Sequence, residues 1–200
     1  RDHIIEGSEE VVKRLSSAGK SCVNVEVKIV DEKGKDVQTG EVGEVIVRGY
    51  HLMKGYWNLP EATAEVLKDG WVYTGDLGYF DSKGYIFLVD RKRDVIISGA
   101  FNIYPKEIED VIVTHPKVKE VAVIGVPDEK WGEAVKAVIV PKEGTQVSEK
   151  EIIDYCRDRI ASLKKPKTVD FVKELPRNPY GKVLKTVIRE RYCCLLYTSP

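Results

Sequence analysis

Charged residues separate two apolar segments near the middle of this chain. Residues 90–94 read Asp-Arg-Lys-Arg-Asp, with an apolar run on each side. Five charges between two strands have two interpretations. They are an ordinary hairpin tip, or they mark a place where the chain pivots beside a charged ligand. The flexible segment Ser98, Gly99 and Ala100 follows, and glycine lets a backbone approach a ligand closely because it has no Cβ. Residues 84–109 are therefore the first candidate for a functional segment.

The first half of the chain is predicted to be rich in strands. Residues 23–29 alternate between apolar and polar side chains, which is the period of a strand. The other strands predicted in this half lie at 42–47, 71–76 and 85–89. Two short helices are predicted, at 8–17 with Ser8 as the candidate N-cap and at 61–67.

The second half alternates helices with strands. Pro105 fits the first turn of one helix, and Ser148 with Glu151 forms a capping box that begins another. The apolar faces of these helices are predicted to be Ile108, Val111 and Ile112, then Ile152, Cys156, Ile160 and Leu163. Strands are predicted at 121–126, 134–140 and 168–172, and a last helix at 183–191. This α+β half, of about 100 residues, is large enough to fold alone.

The composition argues against several classes of protein. Lys plus Arg and Asp plus Glu both number 32, and no repeated stripe of basic and aromatic residues predicts binding to nucleic acid. No apolar run approaches the roughly 18–20 residues that span a bilayer. The histidines and cysteines lack the spacing of a zinc site, so no metal site is predicted. Because the cysteines form no disulfide framework, we expect a cytoplasmic protein. The three tryptophans are assigned to packing and Lys185 to the surface.

Three motifs follow one another along the chain. They are Tyr-Thr-Gly-Asp at 73–76, the segment from Asp90 to Pro105, and Leu-Pro-Arg-Asn-Pro-Tyr-Gly-Lys at 175–182. Each motif alone has low specificity. The ordered set resembles the C-terminal part of an AMP-forming acyl-CoA synthetase, a member of the adenylate-forming, AMP-binding enzyme superfamily. The resemblance covers about residues 20–192.

The resemblance implies an α+β fold built from two domains. Residues 1–89 would be the strand-rich C-terminal edge of an incomplete large AMP-binding domain, and residues 91–192 a small mobile C-terminal domain. Asp90 would be the hinge, since a polar residue at a strand end can absorb a backbone rotation without loss of core packing. The alternative is an ordinary strand end. The start at Arg1 favours a fragment or processed piece, and residues 193–200 are predicted to be a non-native tail.

The resemblance also implies two nucleotide-binding residues. Asp76 takes the place of the family's ribose-binding aspartate, and a carboxylate can accept hydrogen bonds from both ribose hydroxyls. Arg91 takes the place of an arginine that reaches the same ribose. The alternatives are that Asp76 caps a turn after Gly75, and that Arg91 is a surface residue paired with Asp90 or Asp94, a pair of small energetic value.

The resemblance assigns two further segments, one to the adenylation step and one to the transfer to a thiol. Lys182 matches the catalytic lysine of adenylation, where a cation on a flexible loop at 180–181 would stabilise the negative charge at the reacting centre. Residues 98–100 match the loop that swings toward the thiol acceptor, coenzyme A. The alternatives are an exposed lysine ahead of a helix and an ordinary turn.

The implied activity is that of an acid–thiol ligase. The parent enzyme would activate a carboxylic acid, fatty or aryl, with ATP to an acyl adenylate and then transfer the acyl group to CoA. Mg²⁺ is implied for the parent, but its ligand is not in this chain. The Ser/Thr/Gly-rich ATP phosphate loop and the Tyr-Gly-x-Thr-Glu segment of the family are also missing from the sequence. The chain alone is therefore predicted to be inactive. Its expected partners are small molecules.

Three alternatives share some of these features. An adenylation domain that loads a carrier protein has the same motifs, but it usually continues into a carrier domain. Luciferase-type oxidation also uses them. A non-catalytic module that binds CoA or docks on a partner chain is an alternative of another class. An upstream reading frame with a Gly-rich phosphate loop would favour the ligase, and a start codon just before Arg1 would favour the module.

Overall fold

A computed structural model describes residues 8–193, which form two compact units that divide between Arg93 and Asp94. Both units combine strands with a smaller amount of helix, which confirms the predicted α+β class. Among the helices in this part of the chain, none is long and apolar enough to cross a membrane.

The first unit contains one antiparallel sheet. Its strands are β1 (Val25–Val30), β2 (Gly43–Gly49), β3 (Leu67–Lys68), β4 (Trp71–Phe80) and β5 (Ile86–Arg91). Strand β4 is central, because it pairs with β2 along one edge and with β3 and β5 along the other. Its helices are α1 (Glu9–Lys13), followed by a 3₁₀ turn, and α2 (Pro60–Val66). The buried apolar side chains of this unit are Ile29, Val30, Val45, Ile46, Tyr85, Ile86 and Phe87.

The second unit contains a second five-stranded sheet. Its elements are β6 (Ile96–Ser98), β7 (Phe101–Ile103), α3 (Pro105–Ile112), β8 (Val118–Asp128), β9 (Gly132–Pro141), α4 (Glu149–Arg157), β10 (Thr168–Phe171) and α5 (Lys185–Cys193). Strand β9 organises the sheet. It pairs antiparallel with β8 along its whole length, and its other edge meets β10 in parallel and β6 at Ser98.

Both faces of this second sheet are covered. One face packs on α3 and α4 through a cluster that includes Val123, Ile139, Ile108 and Ile152. The other face packs on α5 through a cluster that contains Ile124, Val138, Val140, Leu175 and Ile188. Successive strand residues point to opposite faces, so a strand covered on both sides must be apolar at consecutive positions. The strands predicted at 121–126 and 134–140 are confirmed as the central parts of β8 and β9.

Several sequence predictions need correction. The helix predicted at 8–17 is shorter, and Ser8 makes no side-chain cap. Helix α4 begins at its predicted cap, where Ser148 Oγ accepts a hydrogen bond from Glu151 N at 3.2 Å. It ends at Arg157, so Leu163 does not extend its apolar face and is 47% exposed. Strands β3 and β7 were not predicted, because two or three residues are too few to show a period.

Candidate functional site

A bulge in β4 positions Asp76. Glu44 pairs with Leu77 and Ile46 pairs with Tyr73, so the single residue Val45 faces three residues of β4. Extra residues in one strand bend it outward locally. Thr74 Oγ1 donates to Val45 O at 2.7 Å and accepts from Asp76 N at 3.1 Å. The Tyr-Thr-Gly-Asp motif is therefore a hydrogen-bonded interruption of the sheet.

Gly75 and the buried Glu44 complete this bulge. Gly75 has φ of +71°, in the left-handed region that glycine adopts with the least strain. Its N–H donates to Glu44 Oε1 at 3.2 Å. The other oxygen of Glu44 pairs with Lys92 Nζ at 2.8 Å. Sequence reasoning assigned no role to Glu44, because nothing in the sequence links it to a glycine 31 residues away.

The structure brings Asp76 and Arg91 together. They are opposite each other in the β4–β5 ladder, and Arg91 Nε lies 2.8 Å from Asp76 Oδ1. Arg91 Nη1 also donates to Thr74 O at 3.4 Å. The partner of Arg91 is thus Asp76, rather than the Asp90 or Asp94 carboxylate named in the surface-pair alternative. About a quarter of the Asp76 side chain and nearly half of that of Arg91 are exposed, which leaves both accessible to a ligand.

Asp90 lies one residue before the end of β5. It pairs with Leu77, just after a bulge in the β4–β5 ladder. Its Oδ1 accepts a hydrogen bond from Arg91 N at 2.7 Å. A short 3₁₀ turn, Lys92–Asp94, follows directly. The backbone thus changes from extended strand to 3₁₀ conformation within two residues of Asp90.

Residues 98–100 form the tip of a tight hairpin in the second unit. Ser98 pairs with Phe101, which leaves only Gly99 and Ala100 between the strands β6 and β7. Gly99 has φ of +60°, and its N–H donates to Trp131 O at 2.7 Å. The segment that the sequence suggested to be a flexible loop is a turn tied to the neighbouring hairpin. The short β7 strand, which the sequence did not reveal, causes the difference.

An apolar groove of about 290 Å³ lies beside this turn. Its lining includes Ser98, Phe101, Trp131, Leu163, Lys165 and Lys167. Trp131 is 48% exposed, so its assignment to packing accounts for only part of its surface. The hydrogen bond from Lys167 lowers the pKa of the Asp128 carboxyl below its ordinary value, with smaller contributions from the amides of residues 130 and 131.

Lys182 follows a hydrogen-bonded turn. Gly181 N donates to Asn178 O at 2.9 Å, and Gly181 has φ of +83°. Asn178 Oδ1 accepts hydrogen bonds from Tyr180 N at 3.0 Å and from Lys182 N at 2.9 Å. An asparagine that bonds the following backbone in this way stabilises a turn. The sequence suggested a flexible loop here, but the side-chain bonds of Asn178 give it a defined shape.

Two lysines three residues apart have different environments. The Lys182 side chain is exposed, and within residues 8–193 its ammonium has no hydrogen-bond or ion-pair partner. Lys185 Nζ lies 2.7 Å from Glu109 Oε1, and both side chains are at least four-fifths buried. Lys185 is therefore not the surface residue that the sequence suggested. Its ammonium forms an ion pair that joins α5 to α3, whereas the ammonium of Lys182 is available to a ligand.

The predicted site residues belong to two different units. Asp76, Asp90 and Arg91 are in the first unit, and Lys182 with residues 98–100 is in the second. No group of three or more His, Cys, Asp or Glu side chains within residues 8–193 could hold a metal ion.

Two protein-family models match this chain. The model of the AMP-binding enzymes matches residues 4–57, and the model of the AMP-binding enzyme C-terminal domain matches residues 107–182. Among curated proteins, a long-chain-fatty-acid–CoA ligase of Mycobacterium tuberculosis is 48% identical over 185 residues, which are 92% of this chain and 36% of that protein. A feruloyl-CoA synthase of Amycolatopsis is 46% identical over 182 residues, covering 91% of this chain and 37% of the relative.

Solved structures give the same result. ATP-bound MatB from Rhodopseudomonas palustris has a TM-score of 0.83 and 42% identity, over 88% of this chain and 36% of that one. The o-succinylbenzoate CoA synthetase of Bacillus subtilis, in complex with its acyl-adenylate intermediate, has a TM-score of 0.84 and 39% identity, over 92% and 37%. The chain thus spans just over a third of the length of these relatives.

Proposed function

Because this chain belongs to the AMP-binding, adenylate-forming enzymes and corresponds to the C-terminal part of an AMP-forming acyl-CoA synthetase, we propose that its parent is an acid–thiol ligase. The parent activates a carboxylic acid with ATP to an acyl adenylate and transfers the acyl group to CoA. Three of the relatives named above are CoA ligases or synthetases. The observation that carries the proposal is the exposed Lys182 ammonium, which follows a turn of defined geometry.

Asp76 and Arg91 are proposed to bind the ribose of ATP. One Asp76 oxygen is bonded to Arg91, but an ionised carboxylate has about four acceptor positions. It can therefore accept from ribose hydroxyls while it keeps the arginine. The guanidinium fixes the orientation of the carboxylate and offers further N–H donors to the same sugar.

Lys182 is proposed to act in the first half-reaction. An oxygen of the substrate carboxylate forms a bond to the α-phosphorus of ATP, the bond to the bridging oxygen breaks, and pyrophosphate leaves with that electron pair. Negative charge shifts between these oxygens during the step. An ammonium group held nearby stabilises that charge without a proton transfer, so Lys182 acts by its charge alone.

The turn at residues 98–100 and its groove are proposed to receive CoA in the second half-reaction. The exposed faces of Phe101 and Trp131 suit an apolar or planar part of a ligand. Lys165 and Lys167 line the same groove and can attract phosphates. The CoA sulfur then forms a bond to the acyl carbon, and AMP leaves. The thiol proton passes to solvent.

Asp90 is proposed as the hinge between the two steps. It lies one residue before the end of β5, and the division between the two compact units falls after Arg93, three residues later. Fatty and aryl acids are the proposed substrate classes. They follow from the relatives alone, because the described residues include no acyl cavity that can be assigned.

The test compares both half-reactions in the full-length parent. Lys182→Ala should lower the release of pyrophosphate and AMP, measured with a panel of fatty and aryl acids, by roughly 10²–10³-fold, the usual cost of a lost charge-stabilising group. Thioester formation from a supplied acyl adenylate should change by about twofold or less. Lys173→Ala, which alters another exposed lysine of the same unit, is the matched control.

Equal loss in both half-reactions would contradict the role of Lys182. The 200-residue chain should be assayed beside the parent. We expect it to release no AMP, because the phosphate-binding motifs that the resemblance implies do not occur in its sequence. Turnover by the chain alone would refute this expectation.

A further inference from the structure

Arg177 makes two contacts at the base of the Lys182 turn. Its Nη1 donates to Gly181 O at 2.5 Å, and its Nη2 lies 2.5 Å from Glu120 Oε2. A guanidinium is planar and presents its donors in a fixed fork. Arg177 therefore joins the backbone of the turn to the Glu120 side chain through one rigid group.

Glu120 lies in the sheet of the second unit. It belongs to β8 and pairs with Val140 of β9, in the longest ladder of the second unit. The backbone pairing of Arg177 with Val183, and the bond from Leu184 N to Pro176 O at 2.8 Å, close the turn from the other side. The backbone bonds thus close the turn on itself, and the Arg177 side chain connects it to the sheet.

The two side chains at the base of the turn hold the same peptide group. Arg177 holds the oxygen of the Gly181–Lys182 peptide, and Asn178 Oδ1 holds the N–H of that peptide at 2.9 Å. A peptide group is planar, so bonds to both of its ends fix the orientation of the plane. That plane ends at the Lys182 Cα and sets the direction in which the Lys182 side chain leaves the backbone.

We propose that Arg177 is a positioning residue that, together with Asn178, clamps the Gly181–Lys182 peptide and directs the Lys182 ammonium. The inference rests on the proposed function of Lys182. A charge that stabilises a reacting centre must be placed accurately, and a shift of about 1 Å can cost a factor of 10² in rate. Asn178 alone holds only one end of the peptide.

Stability is a poor explanation for the Arg177–Glu120 pair. The side chains are 41% and 30% exposed, and ion pairs with this exposure contribute little to the free energy of unfolding. Removal of Arg177 should therefore leave the unit folded while it releases the turn. This difference separates a positioning role from a structural one.

The first experiment measures the turn itself. In this chain, Arg177→Gln should speed hydrogen exchange of the Lys182 amide, measured by NMR, by about tenfold, the value of one lost hydrogen bond. The melting temperature should stay within about 2 °C. The matched control is Arg157→Gln, which removes an exposed arginine paired with Asp154 at 2.7 Å. It should leave the Lys182 amide unchanged.

The second experiment measures catalysis in the parent. Arg177→Gln should slow adenylate formation about tenfold, with the KM for ATP and the thioester half-reaction within twofold. Arg177→Lys should recover part of the rate, because an ammonium can hold Gly181 O but lacks the fork that also reaches Glu120. An equal loss in both half-reactions would indicate a structural role and overturn the proposal.

The two proposals fail in different ways. An unchanged Lys182 amide in Arg177→Gln refutes the clamp, whatever the activity shows. Full adenylation activity in Arg177→Gln, while Lys182→Ala is inactive, also refutes it. Full activity in Lys182→Ala refutes the proposed function of Lys182 instead, and the exchange measurement still decides whether Arg177 holds the turn.

Discussion

Single residues with unusual backbone angles shape both proposed sites. Gly75 supports Asp76, and an added Cβ there would meet no heavy atom within 4 Å. The cost of a substitution is therefore conformational. Gly75→Ala should lower the free energy of unfolding by about 1 kcal/mol and displace the Asp76 carboxylate. We expect the KM for ATP of the parent to rise severalfold.

Gly84 provides a matched control for this prediction. It has φ of +78° and equally open space around its Cα, but it lies in the turn before β5. Gly84→Ala should therefore cost similar stability in urea unfolding and leave the KM for ATP unchanged. A rise in KM in both variants would mean that the effect is general, and the link from Gly75 to Asp76 would be lost.

The sequence predicted the identity of these residues better than their surroundings. Asp76 and Arg91 were found from motif positions, and the structure places them in contact. Their roles stay predictions. Glu44 was assigned no role, because the hydrogen bond that its carboxylate accepts from the Gly75 N–H depends on strand register. Lys185 was wrongly assigned to the surface for the same reason, since its partner Glu109 is 76 positions away in the sequence.

Three elements of the second unit meet at one carboxylate. Glu109 of α3 accepts from Val123 N of β8 at 2.7 Å and pairs with Lys185 of α5 at 2.7 Å. Glu109→Gln keeps an acceptor for Val123 N but leaves the Lys185 ammonium without its counter-charge. We expect a loss of about 2 kcal/mol in the free energy of unfolding, followed by urea denaturation with NMR signals of the second unit.

The double variant with Lys185→Met should recover most of this loss, because it removes the unpaired charge and keeps a long apolar stem. Asp154→Asn is the control, since it breaks the more exposed pair with Arg157 and should cost little. If Glu109→Gln were no more destabilising than Asp154→Asn, the contact of the three elements at Glu109 would contribute no more to the free energy of unfolding than an exposed ion pair.

The prediction of elements succeeded where the pattern was long. The apolar runs of β8 and β9 were clear because both faces of their sheet are covered. The capping box identified the start of α4, but its end at Arg157 had no comparable signal. The missed strand β7 mattered most, since it turns a predicted loop at 98–100 into a hairpin tip.

On the scale of the whole molecule, the second unit should fold alone. A chain of residues 94–193 keeps both clusters that cover its sheet and is of ordinary domain size. Its amide NMR spectrum should overlay that of the same residues in the full chain. A shorter chain that starts at 105 loses Ile96 and Ile103, both fully buried, and should not fold. Loss of structure in both chains would refute the independence of this unit.

The domain boundary shows what the sequence could provide at this scale. The change from a strand-rich half to an α+β half was visible in the pattern, and the structure divides between Arg93 and Asp94. That division does not test a pivot, which is a property of motion. The hinge at Asp90 therefore stays a prediction.

The turn at residues 98–100 has a consequence for the rate at which this segment can move. A free surface loop changes position within nanoseconds to microseconds, whereas packed units rotate in microseconds to milliseconds. The bond from Gly99 N to Trp131 O, and the pairing of Ser98 with Phe101, bind this turn to its sheet. We therefore expect the turn to move only on the slower timescale of the whole unit. Under the proposed function, we expect delivery of the acceptor thiol to follow the rotation of the whole unit and not the motion of a loop.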